Sequence, residues 1–213
     1  RYSENYEGCV RYSIALARAC GWYDANPGGA HVDGHLRAYS SIADELVAKL
    51  GVAPAVVAFP VSNGTTIAGV HAGFQRLRSE GHIAQLPRLV AGSTLNMNPI
   101  IQSFQAGDWQ YRELDPLSIL ETEVNEPLIN SHSFEGGEAL AALRESKGWA
   151  AYVTDDELVG AAADLETACG LRYIPASLAG VVALRKLFRE VMDLPKGPMV
   201  SILTCACEPI QRS

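Results

Sequence analysis

Residues 55–61, Ala-Val-Val-Ala-Phe-Pro-Val, form an unbroken apolar run that stops at Ser62-Asn63-Gly64-Thr65-Thr66. From Ile67 the apolar residues return at helical spacing. A strand with one wet face alternates apolar and polar residues. A continuous apolar run of this length suits a strand covered on both faces, as in a parallel sheet.

The rest of the chain repeats the pattern. Helices are expected over 5–20 (with Gly21 as stop), 35–50 (with Gly51 as C-cap), 67–78, 98–107, 135–146, 154–170 and 175–192. Thr154 reads as an N-cap followed by an acidic first turn. Further strands are expected at 88–93, 149–153 and 198–207. Residues 23–34 carry turn chemistry and mark a soft boundary, and 108–134 reads as irregular. Strands alternating with helices imply an α/β fold: a mostly parallel, Rossmann-like sheet flanked by helices, with right-handed crossovers.

Composition narrows the function. The formal charge is −7 and no basic run occurs, so nucleic acid is not an expected partner. No stretch reaches the roughly 20 apolar residues of a membrane helix. The five cysteines (Cys9, Cys20, Cys169, Cys205, Cys207) form no CxxC pair, and the five histidines form no ligand pattern, so no metal site is expected. Unpaired, scattered cysteines point to a reduced, cytoplasmic protein. Cys205 and Cys207 fall on the same side of the last strand and are expected to be buried structural thiols. The chain opens at Arg1 rather than Met, which suggests that this is not the native start.

The chemistry-bearing feature is the Ser62–Thr66 turn. A small-residue turn before a helix leaves N–H groups unpaired, and the helix dipole adds partial positive charge. Gly64 is expected to leave room for a close anion, with Asn63, Thr65 and Thr66 adding side-chain donors. An ordinary strand–helix turn capped by Thr explains the same residues, and the loop alone leaves both readings open. It is neither a GK[ST] P-loop nor GxGxxG. Thr204 ends the last apolar run, and ligands in open parallel sheets lie beyond the carboxyl ends of strands. By itself, its β-branching is the better explanation of its presence.

Four segments in order carry a resemblance: NPGG…DGHLRAYSSIADEL (26–46), VVAFPVSNGTTIAGVHAGF (56–74), GLRYIPASLAGVVAL (170–184) and VSILT (200–204). They are similar to the second half of pyridoxal-phosphate (PLP) enzymes of the tryptophan-synthase-β, or type II, fold, and most similar to the threonine-synthase-like branch. The resemblance implies that Ser62, Asn63, Gly64, Thr65 and Thr66 hold the cofactor phosphate and that Thr204 bonds the pyridine nitrogen. It implies a substrate contact at His31, where threonine synthases usually have Arg. That change puts a phosphorylated substrate in question. Ile174 replaces a usual acid and Cys205 a usual Gly.

The family's Schiff-base lysine has no match among Lys49, Lys147, Lys186 and Lys196. No catalytic residue is therefore assigned within these 213 residues. The expectation is the C-terminal portion of a PLP-dependent lyase or β/γ-replacement enzyme acting on an amino acid. An amino-acid dehydratase or ammonia-lyase of the same fold is the alternative, as is a non-catalytic relic binding a phosphorylated ligand or a partner protein. Residues 1–33 would be the remnant of a smaller N-terminal domain and 34–213 the large cofactor-binding domain. The missing N-terminal half would join in cis or in trans, and a homodimer is compatible with the fold.

Overall fold

A computed structural model of the chain describes residues 6–207; the outer ends of the two expected domains fall outside that range. Four strands, β1 (Val56–Pro60), β2 (Arg88–Thr94), β3 (Trp149–Val153) and β4 (Met199–Ser201), form one sheet in the order β3-β2-β1-β4. Every pairing is parallel, with Val56 opposite Arg88 on one side and Met199 on the other. The helices are α1 (Tyr6–Cys20), α2 (Val32–Leu50), α3 (Thr65–Ser79), α4 (Pro99–Gln105), α5 (Gly136–Glu145), α6 (Asp155–Cys169) and α7 (Ala179–Glu190). None of them is long and apolar enough to cross a membrane.

The strand β1 shows why its apolar run is continuous. Val57 and Phe59 pack into a core with α3, α4 and α5, while Val56 and Ala58 pack on the opposite face with Ala183 and Leu187 of α7. All four are fully buried, and each larger side chain contributes about 1.5–3 kcal/mol by leaving water. The sheet tolerates a close helix on the α7 side because Gly180 has no side chain: a Cβ there would lie 2.8 Å from the Phe59 nitrogen. A third core joins α6, α7 and Leu128.

Three expectations need correction. The long helix at 175–192 is a 3-10 turn, Pro175–Leu178, followed by α7. The last strand is three residues long, not ten, and only half-buried. It sits at the sheet edge, paired on one side through Ser201 opposite Ala58. Cys205 and Cys207 are exposed rather than buried, because the chain leaves the sheet before reaching them.

The departure of β4 is tied to Pro60. Val61 donates to Gly92 of β2 at 2.9 Å, and Ala58 accepts from Ile202 at 2.8 Å. Successive residues of a central parallel strand address opposite neighbours. Residue 60 therefore faces the β4 side, where Pro has no N–H to give. Pairing ends there and the two chains part.

Candidate active site

The strand order reverses at β1: the chain moves from β1 to β2 on one side and returns to β4 on the other. Such a switch point opens a crevice at the carboxyl ends of the strands. Here the crevice is a cleft of about 250 Å³ lined by Ser62, Asn63, Gly64, Thr65, Thr66 and, across from them, Thr204. Segments 138 residues apart in sequence thus share one cavity.

The loop is held in a donor-outward conformation. The buried Asn98 amide donates to the carbonyls of Val61 (3.2 Å) and Ser62 (3.1 Å). Its Oδ1 meanwhile accepts from Ile100 and Ile101 and so caps α4. Ser133 Oγ donates to the Ser62 carbonyl at 3.0 Å, and the Glu135 N–H to the Asn63 carbonyl at 3.1 Å. The Gly64 carbonyl accepts from Ala68 inside α3. With the carbonyls tied back, the N–H groups of Asn63, Gly64, Thr65 and Thr66 have no acceptor among the described residues.

The helix ends sharpen this point. Thr154 caps α6 with a complete capping box, and Asn98 caps α4. The N-cap of α3 is Gly64, which has no side chain to offer. The orphan donors at the start of this 15-residue helix therefore call for an outside acceptor. Among the described residues, no charged side chain lines the cleft. An anion there is received by dipoles, neutral hydroxyls and the Asn63 amide.

Gly64 has a different role from the one its sequence suggests. Its φ is +93° and its absent Cβ would point into the protein, 2.7 Å from Ala139 Cβ and 2.8 Å from the Glu135 carbonyl. Glycine is required for the turn to lie against α5, not to clear space for the anion. Thr65 also differs: its hydroxyl donates to the Glu135 carboxylate, so it brings its N–H to the cleft rather than its hydroxyl. The Thr66 hydroxyl has no partner among the described residues and lines the cleft.

Glu135, 1% exposed, was not legible as a site residue. Its other oxygen accepts from the Gly28 N–H at 2.7 Å, fastening the 24–31 turn to the loop. Pro27 of that turn lines the cleft. In the same turn Asp24 is held below the usual carboxylate range, chiefly by the Asn26 side chain, against burial and with help from the Asn26 and Ala30 N–H groups and His31. Asn130 adds a hydrogen bond to Asn63 Oδ1 at 3.2 Å. The ties from Asn98, Asn130, Ser133 and Glu135 to the loop and the turn all span 35 residues or more, so no local pattern reveals them. A run such as Asn-Ser-His-Ser-Phe-Glu at 130–135 signals only a polar loop.

Thr204 is exposed and its hydroxyl lies 3.2 Å from that of Ser177. Ser177 Oγ also accepts from the Cys205 N–H at 3.1 Å. His31 is not brought to the cleft: it precedes α2 and stacks on Tyr23, with ring centroids 4.2 Å apart. None of the four lysines lines the cleft, and no group of His, Cys, Asp and Glu among the described residues could hold a metal.

A parallel sheet with an uncapped helix N-terminus at its switch point, sharing a cleft with the Thr204 hydroxyl just past the end of the neighbouring strand, is suited to receive an anionic group. Residues 1–204 match the family described as pyridoxal-phosphate dependent enzyme, and the chain belongs to it. Among its relatives, threonine synthase of Methanosarcina acetivorans is 32% identical over 146 residues, 68% of this chain and 34% of that protein. Threonine synthase of Synechocystis is 31% identical over 170 residues, 79% of this chain and 41% of that one. The chain thus spans roughly a third to two fifths of the curated relatives it matches. The fold is shared with threonine deaminase isoform 2 from Solanum lycopersicum, with a TM-score of 0.71 at 14% identity over 98% of this chain and 56% of that one. It is shared equally with maize serine racemase, with a TM-score of 0.68 at 15% identity over 97% of this chain and 58% of that one.

The cleft fits the family's cofactor. The orphan donors of α3 suit a phosphate, and the Thr204 side chain lines the same cleft.

Proposed function

We propose that this chain is the cofactor-gripping portion of a PLP-dependent lyase or β/γ-replacement enzyme acting on an amino acid, threonine-synthase-like in kind. The observation that carries the reading is the uncapped N-terminus of α3, with its loop carbonyls tied back, sharing a cleft with Thr204. The N–H groups of residues 63–66, the Asn63 amide and the Thr66 hydroxyl would hold the phosphate, and Thr204 the ring nitrogen. Bound there, the cofactor supplies an electron sink for carbanions formed on the substrate. A neutral hydroxyl at the ring nitrogen does not hold a proton there as a carboxylate would, which suits elimination and replacement.

The lysine that joins the cofactor covalently belongs, in this reading, to a segment outside these residues, contributed in cis or in trans. Residues 1–33 are then the remnant of a smaller domain and 34–213 the large one, working in the cytoplasm. His31 stays a secondary candidate for substrate contact, since the turn that contains it is fastened to the loop by Glu135.

The test is to incubate the chain with PLP, reduce with borohydride and map the peptides. The expected result is phosphate-competable PLP binding with no single stoichiometric label on Lys49, Lys147, Lys186 or Lys196. A stoichiometric label on one of them, lost when Asn98 is replaced, would mean that the active site lies elsewhere.

A further inference from the structure

A second hollow, of about 560 Å³, lies at the opposite pole of the sheet, where the chain enters each strand. Its walls come from the residues before β1 (51–55), around the start of β2 (82–88), before β3 (146–147) and before β4 (195–196). Val52, Ile83 and Leu86 give it an apolar surface, and Arg88, Lys147 and Lys196 line it together with His82. No carboxylate among the described residues does.

That charge pattern is unusual for this chain, whose formal charge is −7. Of its four lysines, Lys49 pairs with Glu45 and Lys186 with Glu157. The other two, Lys147 and Lys196, have no ion pair among the described residues, nor has Arg88, and all three meet at this hollow. Unpaired like charges around one cavity repel, and an anion between them relieves the repulsion. The usual explanation for cations at this pole is the negative end of a helix dipole. It accounts for Lys147, one residue past the C-cap of α5. It does not account for Arg88, which opens a strand, or Lys196, six residues beyond the end of α7. Lys147 moreover has φ +50°, a left-handed conformation where Gly or Asn is usual.

We infer that this hollow is a binding site, separate from the cofactor cleft, for a small amphipathic anion: a carboxylate or phosphate head among Arg88, Lys147 and Lys196 with an apolar body over Val52, Ile83 and Leu86. Its volume lies within the range of small-molecule pockets. Strand β1 runs from this hollow to the cofactor loop, so the two sites share one rigid element.

The probe is 4-phenylbutyrate, titrated into isotopically labelled protein and followed by amide chemical shifts, with 4-phenyl-1-butanol as the uncharged counterpart. Saturable shifts are expected at 52–55, 82–88 and 147–148. The alcohol and the Lys147→Ala/Lys196→Ala variant should each bind about tenfold more weakly or worse, and binding should fall with added salt. A parallel titration with phenyl phosphate separates the head groups: the tighter of the two acids identifies the preferred anion. Shifts confined to 62–66 and 204, no saturable shifts, equal affinity for acid and alcohol, or an unchanged double-lysine variant would each overturn the site.

Discussion

The two walls of the cofactor cleft are built to different standards. On the β1 side the loop is over-determined: four side chains (Asn98, Asn130, Ser133 and Glu135), all buried, anchor it from behind. On the β4 side a three-residue edge strand delivers Thr204, which is braced by Ser177 and by backbone hydrogen bonds between residues 205–207 and 172–174. The difference follows from what each wall would hold under the proposed function. A phosphate received without a charged side chain needs several N–H dipoles aimed at one point, and backbone cannot aim unless its carbonyls are fixed elsewhere. A single hydroxyl meeting a ring needs only to be near.

If the first wall is that rigid, breaking it costs stability as well as binding. Gly64→Val should have the largest effect. It places a β-branched residue at φ +93° and drives a Cβ into Ala139 and the Glu135 carbonyl, a combined cost of about 4 kcal/mol. Denaturant unfolding measures it, with Ser79→Val on the exposed end of α3 as a control within about 0.5 kcal/mol. A Gly64→Val loss under about 1 kcal/mol would mean the turn is not pressed against α5 as described.

Asn98→Ala comes next. It leaves the Val61, Ser62 and Leu128 carbonyls without their shared donor and uncaps α4, for about 2–3 kcal/mol. Asn98 itself does not line the cleft. Phosphate affinity measured by calorimetry should nevertheless fall about tenfold, because the loop N–H groups lose their aim. Wild-type affinity in a folded Asn98→Ala variant would show that the loop holds its shape unaided.

The fastening of the 24–31 turn gives a pH signature. Asp24 has a folded pKa below its ordinary value, so the unfolded chain binds the extra proton. Its stabilisation is fully present above the ordinary carboxylate range, near about 4, and is lost as pH falls through the lower, folded value. Stability curves from pH 6 downward should therefore be flatter for Asp24→Asn than for the wild type below about pH 4. Parallel curves would assign the acid dependence to other carboxylates.

The contrast between the walls also marks what the sequence could reveal. The apolar run of β1 and the small-residue turn after it are local signals, and both elements appear where the pattern placed them. The helix stops at Gly51 and Gly170 are likewise observed, each in the left-handed conformation. Buried anchors such as Glu135 act over 70 residues of sequence on Thr65, and nothing in their neighbourhood announces it. The last strand was overestimated because its apolar run continues through residues 202–207. Those residues leave the sheet where Pro60 ends the pairing, a tertiary event invisible from either segment alone.

The weakest wall yields the smallest effect and the most specific one. Thr204 is exposed, and its one recorded hydrogen bond among the described residues is to Ser177. Thr204→Val keeps the shape and removes the hydroxyl, so unfolding free energy should stay within about 0.5 kcal/mol of wild type. If the hydroxyl meets the ring, PLP affinity should fall about fivefold, the worth of one neutral hydrogen bond. The affinity for inorganic phosphate, which reaches only the loop, should not change. Thr204→Ser should restore PLP affinity, since it returns the hydroxyl without the methyl. The pair of ligands separates the two walls: a variant that weakens both has disturbed the loop, and one that weakens PLP alone has removed the ring contact. Equal PLP affinity in Thr204→Val and wild type would leave the phosphate grip standing and take Thr204 out of the site.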